Sequence, residues 1–143
     1  MTKIKLYGND IKLNKDGNVY KFLDISKKFP KIDEVYFSSI KYSKIKAWKK
    51  NKTSRQFIYI FEGKIKFIIY DDRDKNKKEI HKFILGKNQK FSKILIPKNV
   101  WYGFKGLNKK NILINALEKK HKKCKLNKLE KNNKIIPISG RKF

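Results

Sequence analysis

Gln56-Phe57-Ile58-Tyr59-Ile60-Phe61-Glu62-Gly63-Lys64-Ile65-Lys66-Phe67-Ile68-Ile69-Tyr70 is the stretch on which the fold turns. Two runs rich in β-branched and aromatic residues, Gln56 to Phe61 and Lys64 to Tyr70, flank Glu62-Gly63-Lys64. Such runs predict strands, and the glycine between them predicts a tight hairpin. Outward from this centre the same character repeats in Val35-Tyr-Phe, Ile45-Lys-Ala-Trp48, Ile80 to Leu85, Lys93 to Ile96, Val100 to Phe104 and Ile112 to Asn115. Asp71 to Lys78 reads as a charged loop and Lys87-Asn-Gln as a turn. Eight short strands broken by turns predict an all-β sandwich or barrel. Nearer the N-terminus, Asp16-Gly17-Asn18 predicts a hairpin between Leu13 and Val19 to Leu23, and Pro30 ends the segment after it. The one helix candidate is Ala116 to Lys131. Beyond it Lys131 to Phe143 reads as an extended tail, with Ile135-Ile-Pro-Ile138 able to pack on the barrel.

A chain of 143 residues is one domain in length and can bury a core without disulfides. The expected division is N-terminal strands over 1–33, a barrel core over 34–121 and a basic tail over 122–143. The single Cys124 excludes an internal disulfide and fits a reducing compartment, so a cytoplasmic location is expected. Met1-Thr-Lys-Ile-Lys-Leu lacks the apolar region of a signal peptide. No apolar run approaches the length of a membrane helix, so no membrane partner is expected. The formal charge of +27 raises nucleic acid, anionic lipid or a phosphorylated ligand as partners. Arginine, which clamps phosphate and reads guanine, occurs only at Arg55, Arg73 and Arg141. The 36 lysines are spread along the chain beside abundant Asn, Ile, Phe and Tyr, the residues that AT-rich codons supply. Coding bias therefore accounts for most of the charge, and nucleic acid is the lesser expectation. The field still draws in any anionic substrate.

Two motifs carry the chemistry. Lys49-x-Asn51-x4-Gln56-x6-Gly63 and Pro97-x-Asn99-x2-Tyr102 keep the spacing of the two-part cupin signature, H-x-H-x(3,4)-E-x(6)-G and P-x-G-x2-H-x3-N. Every ligand position has changed: Lys49, Asn51, Gln56 and Tyr102 stand where His, His, Glu and His would. An ammonium repels a cation, and amides are poor ligands for zinc or iron beside imidazole and carboxylate, so neither metal nor cofactor is expected.

Glu34-Val-Tyr-Phe-Ser38, Ile45-Lys-Ala-Trp-Lys49, Tyr70-Asp-Asp-Arg73, Ile96-Pro97, Trp101-Tyr-Gly-Phe-Lys105 and Leu113-Ile-Asn115 occur in the order of a particular cupin family. Together they resemble the dTDP-4-dehydrorhamnose 3,5-epimerase family, over about Glu34 to His121. The resemblance implies a single-domain jelly-roll cupin barrel that dimerises by packing sheets across a two-fold axis. It implies a pocket for a dTDP-4-keto-6-deoxyhexose, with a base that removes a proton beside the ketone and a Tyr that returns one on the other face. The family's R-G-L-H falls on Lys46-Ala-Trp-Lys49, its Lys one strand on falls on Gln56, and its A-H-G-F falls on Trp101-Tyr-Gly-Phe104. The basic His is thus replaced by Lys49 or, in the pattern of short members, by Asn51.

The reading that follows is a metal-independent epimerase or keto-isomerase acting on a 4-keto-6-deoxy sugar nucleotide, in the making of cell-surface polysaccharide. Lys49, if desolvation lowers its pKa, and Tyr102 are the candidate catalytic groups. Lys46 and Arg55 are placed near phosphate, and Asn51, Gln56, Trp101 and Asn115 near sugar or base. Each has a plainer reading: Lys49 as one surface lysine among many, Tyr102 as a barrel-lining aromatic, the amides as solvated strand residues, Trp48 and Trp101 as core. Two other functions stay open, a cupin that binds a sugar nucleotide without turning it over and a basic nucleic-acid-binding barrel.

Overall fold

The computed structural model describes residues 2–23, 31–123, 125–138 and 142–143. The Pro30 break and the Cys124 thiol lie outside them. Twelve strands are present among the described residues: β1 Lys5–Tyr7, β2 Asp10–Lys12, β3 Val19–Lys21, β4 Glu34–Ser39, β5 Ile45–Asn51, β6 Gln56–Glu62, β7 Lys64–Asp71, β8 Glu79–Gly86, β9 Lys93–Ile96, β10 Trp101–Gly106, β11 Ile112–Leu117 and β12 Leu126–Lys128. Ten of them form two five-stranded antiparallel sheets, in the orders β1-β9-β6-β11-β4 and β12-β5-β10-β7-β8. The predicted N-terminal hairpin is the small β2-β3 pair, turned at Gly17.

The two sheets pack face to face over Ile58, Ile60, Ile65, Phe67, Ile69, Leu85, Ile94 and Leu113, all buried. Each such side chain taken from water contributes about 1.5–3 kcal/mol. Both outer faces are also covered in part, which explains why the deciding stretch reads as unbroken apolar runs rather than as an alternation. Residues Ile136, Ile138 and Phe143 of the tail lie over Trp48, Ile68, Tyr70 and Trp101 on the second sheet. Tyr7, Phe22, Leu23 and Ile32 lie over Phe57, Leu95 and Ala116 on the first. The packing expected of Ile135 to Ile138 is therefore seen, with Ile136 and Ile138 inward and Ile135 exposed.

Two expectations are corrected. Glu62-Gly63-Lys64 is not a hairpin: β6 and β7 belong to different sheets, and Gly63 carries the chain from one to the other. Gly63 has φ 86°, and a Cβ there would run into the Lys110 carbonyl and Asn111. Asn111 holds the crossover by accepting the Lys64 N–H at 2.9 Å. A glycine between two apolar runs looks the same locally whether the strands then pair or part. The second correction concerns Ala116 to Lys131, which is not a helix. Ala116 and Leu117 end β11, His121–Lys123 form one 3-10 turn, and β12 pairs with the β5 edge through Leu126↔Asn51 and Lys128↔Lys49. Lysines favour a helix only weakly, and a segment this poor in apolar positions has no stripe to bury. Burial of Ala116 and Leu117 in the sheet outweighs that preference.

Candidate functional site

The β5–β10 pairing builds the site. Tyr102 lies opposite Lys49 and Phe104 opposite Lys46, so the register slips by one residue between the two pairs. Because Tyr102 and Phe104 are two apart on one face of β10, the slip puts Lys46 and Lys49 on that same face although they are three apart. Across the interior, Asn115 of β11 lies opposite both Tyr36 of β4 and Ile58 of β6.

These strands bring four side chains into one hydrogen-bonded group. Tyr102 donates its hydroxyl hydrogen to Gln56 Oε1 at 3.1 Å. Asn115 Nδ2 donates to the same Gln56 oxygen at 2.9 Å and to the Tyr36 hydroxyl at 2.9 Å. Gln56, Tyr102 and Asn115 are buried. The side-chain carbonyl Oδ1 of Asn115 is buried and has no hydrogen-bond partner among the described residues. A buried acceptor left so costs about 1–3 kcal/mol, and a donor from a bound molecule would recover it.

Beside this group a cavity of about 700 Å³ opens between β4 and β5, lined by Glu34, Tyr36, Lys49 and Lys122. Lys49 is half-buried there. Burial, followed by the repulsion of Lys128 and Lys46, holds its pKa below the ordinary lysine range. Both causes disfavour the ammonium, so Lys49 has a larger neutral fraction than an exposed lysine and can act as a proton acceptor.

The structure thus gathers Lys49, Tyr102, Gln56 and Asn115, with Lys46 close enough to act on Lys49 by charge. Lys46 itself lies at the exposed rim and donates to the Ser39 carbonyl at 2.8 Å. The remaining candidates stand elsewhere. Asn51 accepts the Thr53 and Ser54 N–H groups at 3.0 and 2.9 Å and so shapes the turn from β5 into β6. Trp101 lies on the outer face of its sheet beneath the tail, with the Lys50 ammonium 4.9 Å from its ring centre. Arg55 donates from Nε to Glu118 at 2.7 Å in a second cleft of about 600 Å³. That cleft is cationic, but Lys50 is paired with Asp72 at 2.7 Å and Arg73 with Asp71 at 2.7 Å, so its charges are largely matched by carboxylates. The Lys49 cavity sets two lysines, Lys49 and Lys122, beside one carboxylate, Glu34.

Tyr36, Glu34 and Lys122 were not singled out from the sequence. Alternation along Glu34-Val-Tyr-Phe-Ser38 places Glu34 and Tyr36 on one face, yet which face meets the cavity depends on pairing with β11. Outside the site, His81 pairs with Glu79 at 3.2 Å and stacks on Phe83. No group of three or more His, Cys, Asp and Glu comes together among the described residues, and no helix there is long and apolar enough to cross a membrane.

No family model and no curated protein matches the sequence. Solved structures do. The chain is similar to a dTDP sugar isomerase from Desulfovibrio desulfuricans G20, with TM-score 0.88 and 25% identity over 96% of this chain and 90% of that one. It is similar to a dTDP-4-dehydrorhamnose 3,5-epimerase from Bacillus anthracis with TDP and pyrophosphate bound, with TM-score 0.75 and 17% identity over 94% and 83%. It is also similar to a TDP-quinovose 3,4-ketoisomerase from Campylobacter jejuni, with TM-score 0.70 and 15% identity over 85% and 88%. The chain has the jelly-roll fold of the dTDP-4-dehydrorhamnose 3,5-epimerase-like cupins, the family its sequence resembles.

Proposed function

We propose that the chain is a sugar-nucleotide epimerase or keto-isomerase that moves a proton beside the carbonyl of a 4-keto-6-deoxy sugar without a metal. The observation that carries this reading is Lys49, half-buried with its pKa held down, at the mouth of a cavity whose opposite wall is Tyr36. Neutral Lys49 removes the proton from the carbon next to the ketone. The electron pair moves onto the carbonyl oxygen as an enolate. Reprotonation of the same carbon from the other face gives the epimer. Protonation of the enolate oxygen to an enediol, loss of the proton from the neighbouring hydroxyl and protonation of the former carbonyl carbon give the keto-isomer. Tyr36 and Tyr102 are the hydroxyl groups near enough to the cavity to serve the second transfer or to hold the enolate oxygen. The unmatched Asn115 carbonyl accepts a sugar hydroxyl. Lys46, Lys122 and Lys128 supply positive charge for the diphosphate. dTDP-linked sugars are the substrate class, by likeness to the neighbours named above, and cell-surface polysaccharide synthesis in the cytoplasm is the setting that the sequence resemblance implies.

The test is incubation with dTDP-4-keto-6-deoxyglucose in heavy water, read by mass and NMR. Deuterium is expected at a ring carbon next to the ketone. In Lys49→Ala exchange is expected to fall at least 100-fold, with dTDP binding kept. If no carbon exchanges in the unaltered protein while dTDP still raises its melting temperature, the cavity binds without catalysis. That second reading draws on the same lysines, which can hold a diphosphate with no base among them.

A further inference from the structure

The reaction proposed above gives work to the lysines and tyrosines at the cavity and none to Glu34. Among the described residues Glu34 is the only carboxylate in the lining, beside Tyr36, Lys49 and Lys122. Composition does not put it there, since the chain has 12 acidic residues against 39 basic ones. Its place is set by the sheet. Glu34 and Tyr36 are two apart on β4 and so point to one face. β11 holds both in register, with Leu117 opposite Glu34 and Asn115 opposite Tyr36. Asn115 Nδ2 donates to the Tyr36 hydroxyl at 2.9 Å, which anchors this face of the strand from the interior.

Removal of a carbon proton creates an enolate, and a fixed negative charge in the same cavity opposes that step. Inversion at one carbon leaves the opposition in place. Movement of the ketone to the next carbon relieves it, because that reaction has a second proton to take, from the hydroxyl on the neighbouring carbon. An ammonium can only donate a proton there, whereas a carboxylate can only accept one.

We infer that Glu34 is a catalytic residue of this site, the base that takes the proton of the hydroxyl next to the ketone, so that the ketone moves to that carbon. The inference rests on the proton-transfer reading given above. In a 4-keto-6-deoxy sugar, C3 bears a hydroxyl, while C5 bears the methyl group and the ring oxygen. The movement is therefore from C4 to C3. Lys49 takes the proton from C3, the C–H electrons form the C3=C4 double bond, and the carbonyl pair moves onto oxygen. Tyr36 protonates that oxygen, which gives the enediol. Glu34 takes the proton of the C3 hydroxyl, and the oxygen pair closes a carbonyl at C3. The double-bond electrons then take a proton at C4 from the Lys49 ammonium. Glu34 returns its proton to the Tyr36 phenolate, two residues along the same strand, and every group is as it began. No co-reactant is needed.

Glu34→Gln tests it, with dTDP-4-keto-6-deoxyglucose in heavy water, read by NMR for deuterium at C3 and for the 3-keto sugar. Glutamine keeps the shape and removes the base. The unaltered protein is expected to give both. In Glu34→Gln, exchange at C3 is expected to stay within about threefold while formation of the 3-keto sugar falls by about 100-fold or more. Glu34→Asp is expected to recover part of the lost rate. A merely structural role lowers both readouts together, and that result overturns the inference. So does a Glu34→Gln variant that forms the 3-keto sugar at the unaltered rate, or an unaltered protein that exchanges deuterium and yields only a sugar inverted at C3 or C5. Each of these leaves the proton-transfer reading standing. An unaltered protein that exchanges at no carbon overturns that reading itself, and this inference with it.

Discussion

Lys49 sits where its charge is costly. Burial and the nearby Lys46 and Lys128 lower its pKa in the folded state, whereas in the unfolded chain it returns to the ordinary value of 10.5. Between those two values the unfolded chain binds more protons, so this residue's contribution to stability improves as pH rises through that window. Below the folded pKa the penalty is present in full. Lys49→Met is therefore expected to raise the melting temperature at pH 7, with the gain shrinking toward zero as pH approaches about 10.5. Thermal melts of both proteins from pH 6 to 10.5 check this; a gain that does not change with pH would show that the charge is not what costs stability. The same neutral fraction predicts that deuterium exchange into the sugar rises with pH and levels off below the ordinary lysine pKa. At this scale the sequence made Lys49, Gln56 and Tyr102 legible as a group, because motif spacing survives the loss of the motif's residues. Tyr36 was not legible, since nothing local says that it lies across from Lys49.

The element that sequence reading described least well is the C-terminal segment. It holds one 3-10 turn, a three-residue strand on the β5 edge and a run that caps the outer face of the second sheet. Phe143 packs against Trp48, with ring centres 5.1 Å apart and planes tilted by 50°. Gly103 makes room for it: a Cβ there would stand 2.7 Å from the Phe143 ring and 2.6 Å from the Ala47 Cβ. Gly103→Ala is expected to destabilise by about 1–3 kcal/mol through overpacking. Ile136→Ala is expected to cost about 2–5 kcal/mol through the cavity it leaves. Urea melts of the two variants measure both, and a loss under 0.5 kcal/mol in Ile136→Ala, about the scatter of surface substitutions, would show the tail to be loosely attached. Apolar residues in the tail signalled that it packs. Where it packs follows from Trp48, Tyr70 and Trp101 having been left on an outer face by the alternation of their strands.

Over the whole molecule the charge is the dominant long-range feature. A net +27 with lysines around the cavity mouth concentrates an anion near the site. The second-order rate with a dTDP-linked sugar is expected to fall several-fold between about 20 and 200 mM salt, with the turnover number little changed, because screening acts on encounter. Steady-state kinetics across that range check it, and a rate indifferent to salt would show that the field plays no part in capture.

The sequence alone determined the strand-rich character, the order of the strands and the loss of metal-ligand chemistry at four spaced positions. These are carried by local composition and by spacing along the chain, which survive in a linear record. Only the tertiary structure decided that Gly63 joins two sheets instead of closing a hairpin, and that Arg55 and Trp101 face away from the cavity while Tyr36 faces it. Those facts are set by which strands pair and in what register, and register is fixed by burial summed over the whole core, not by any one segment.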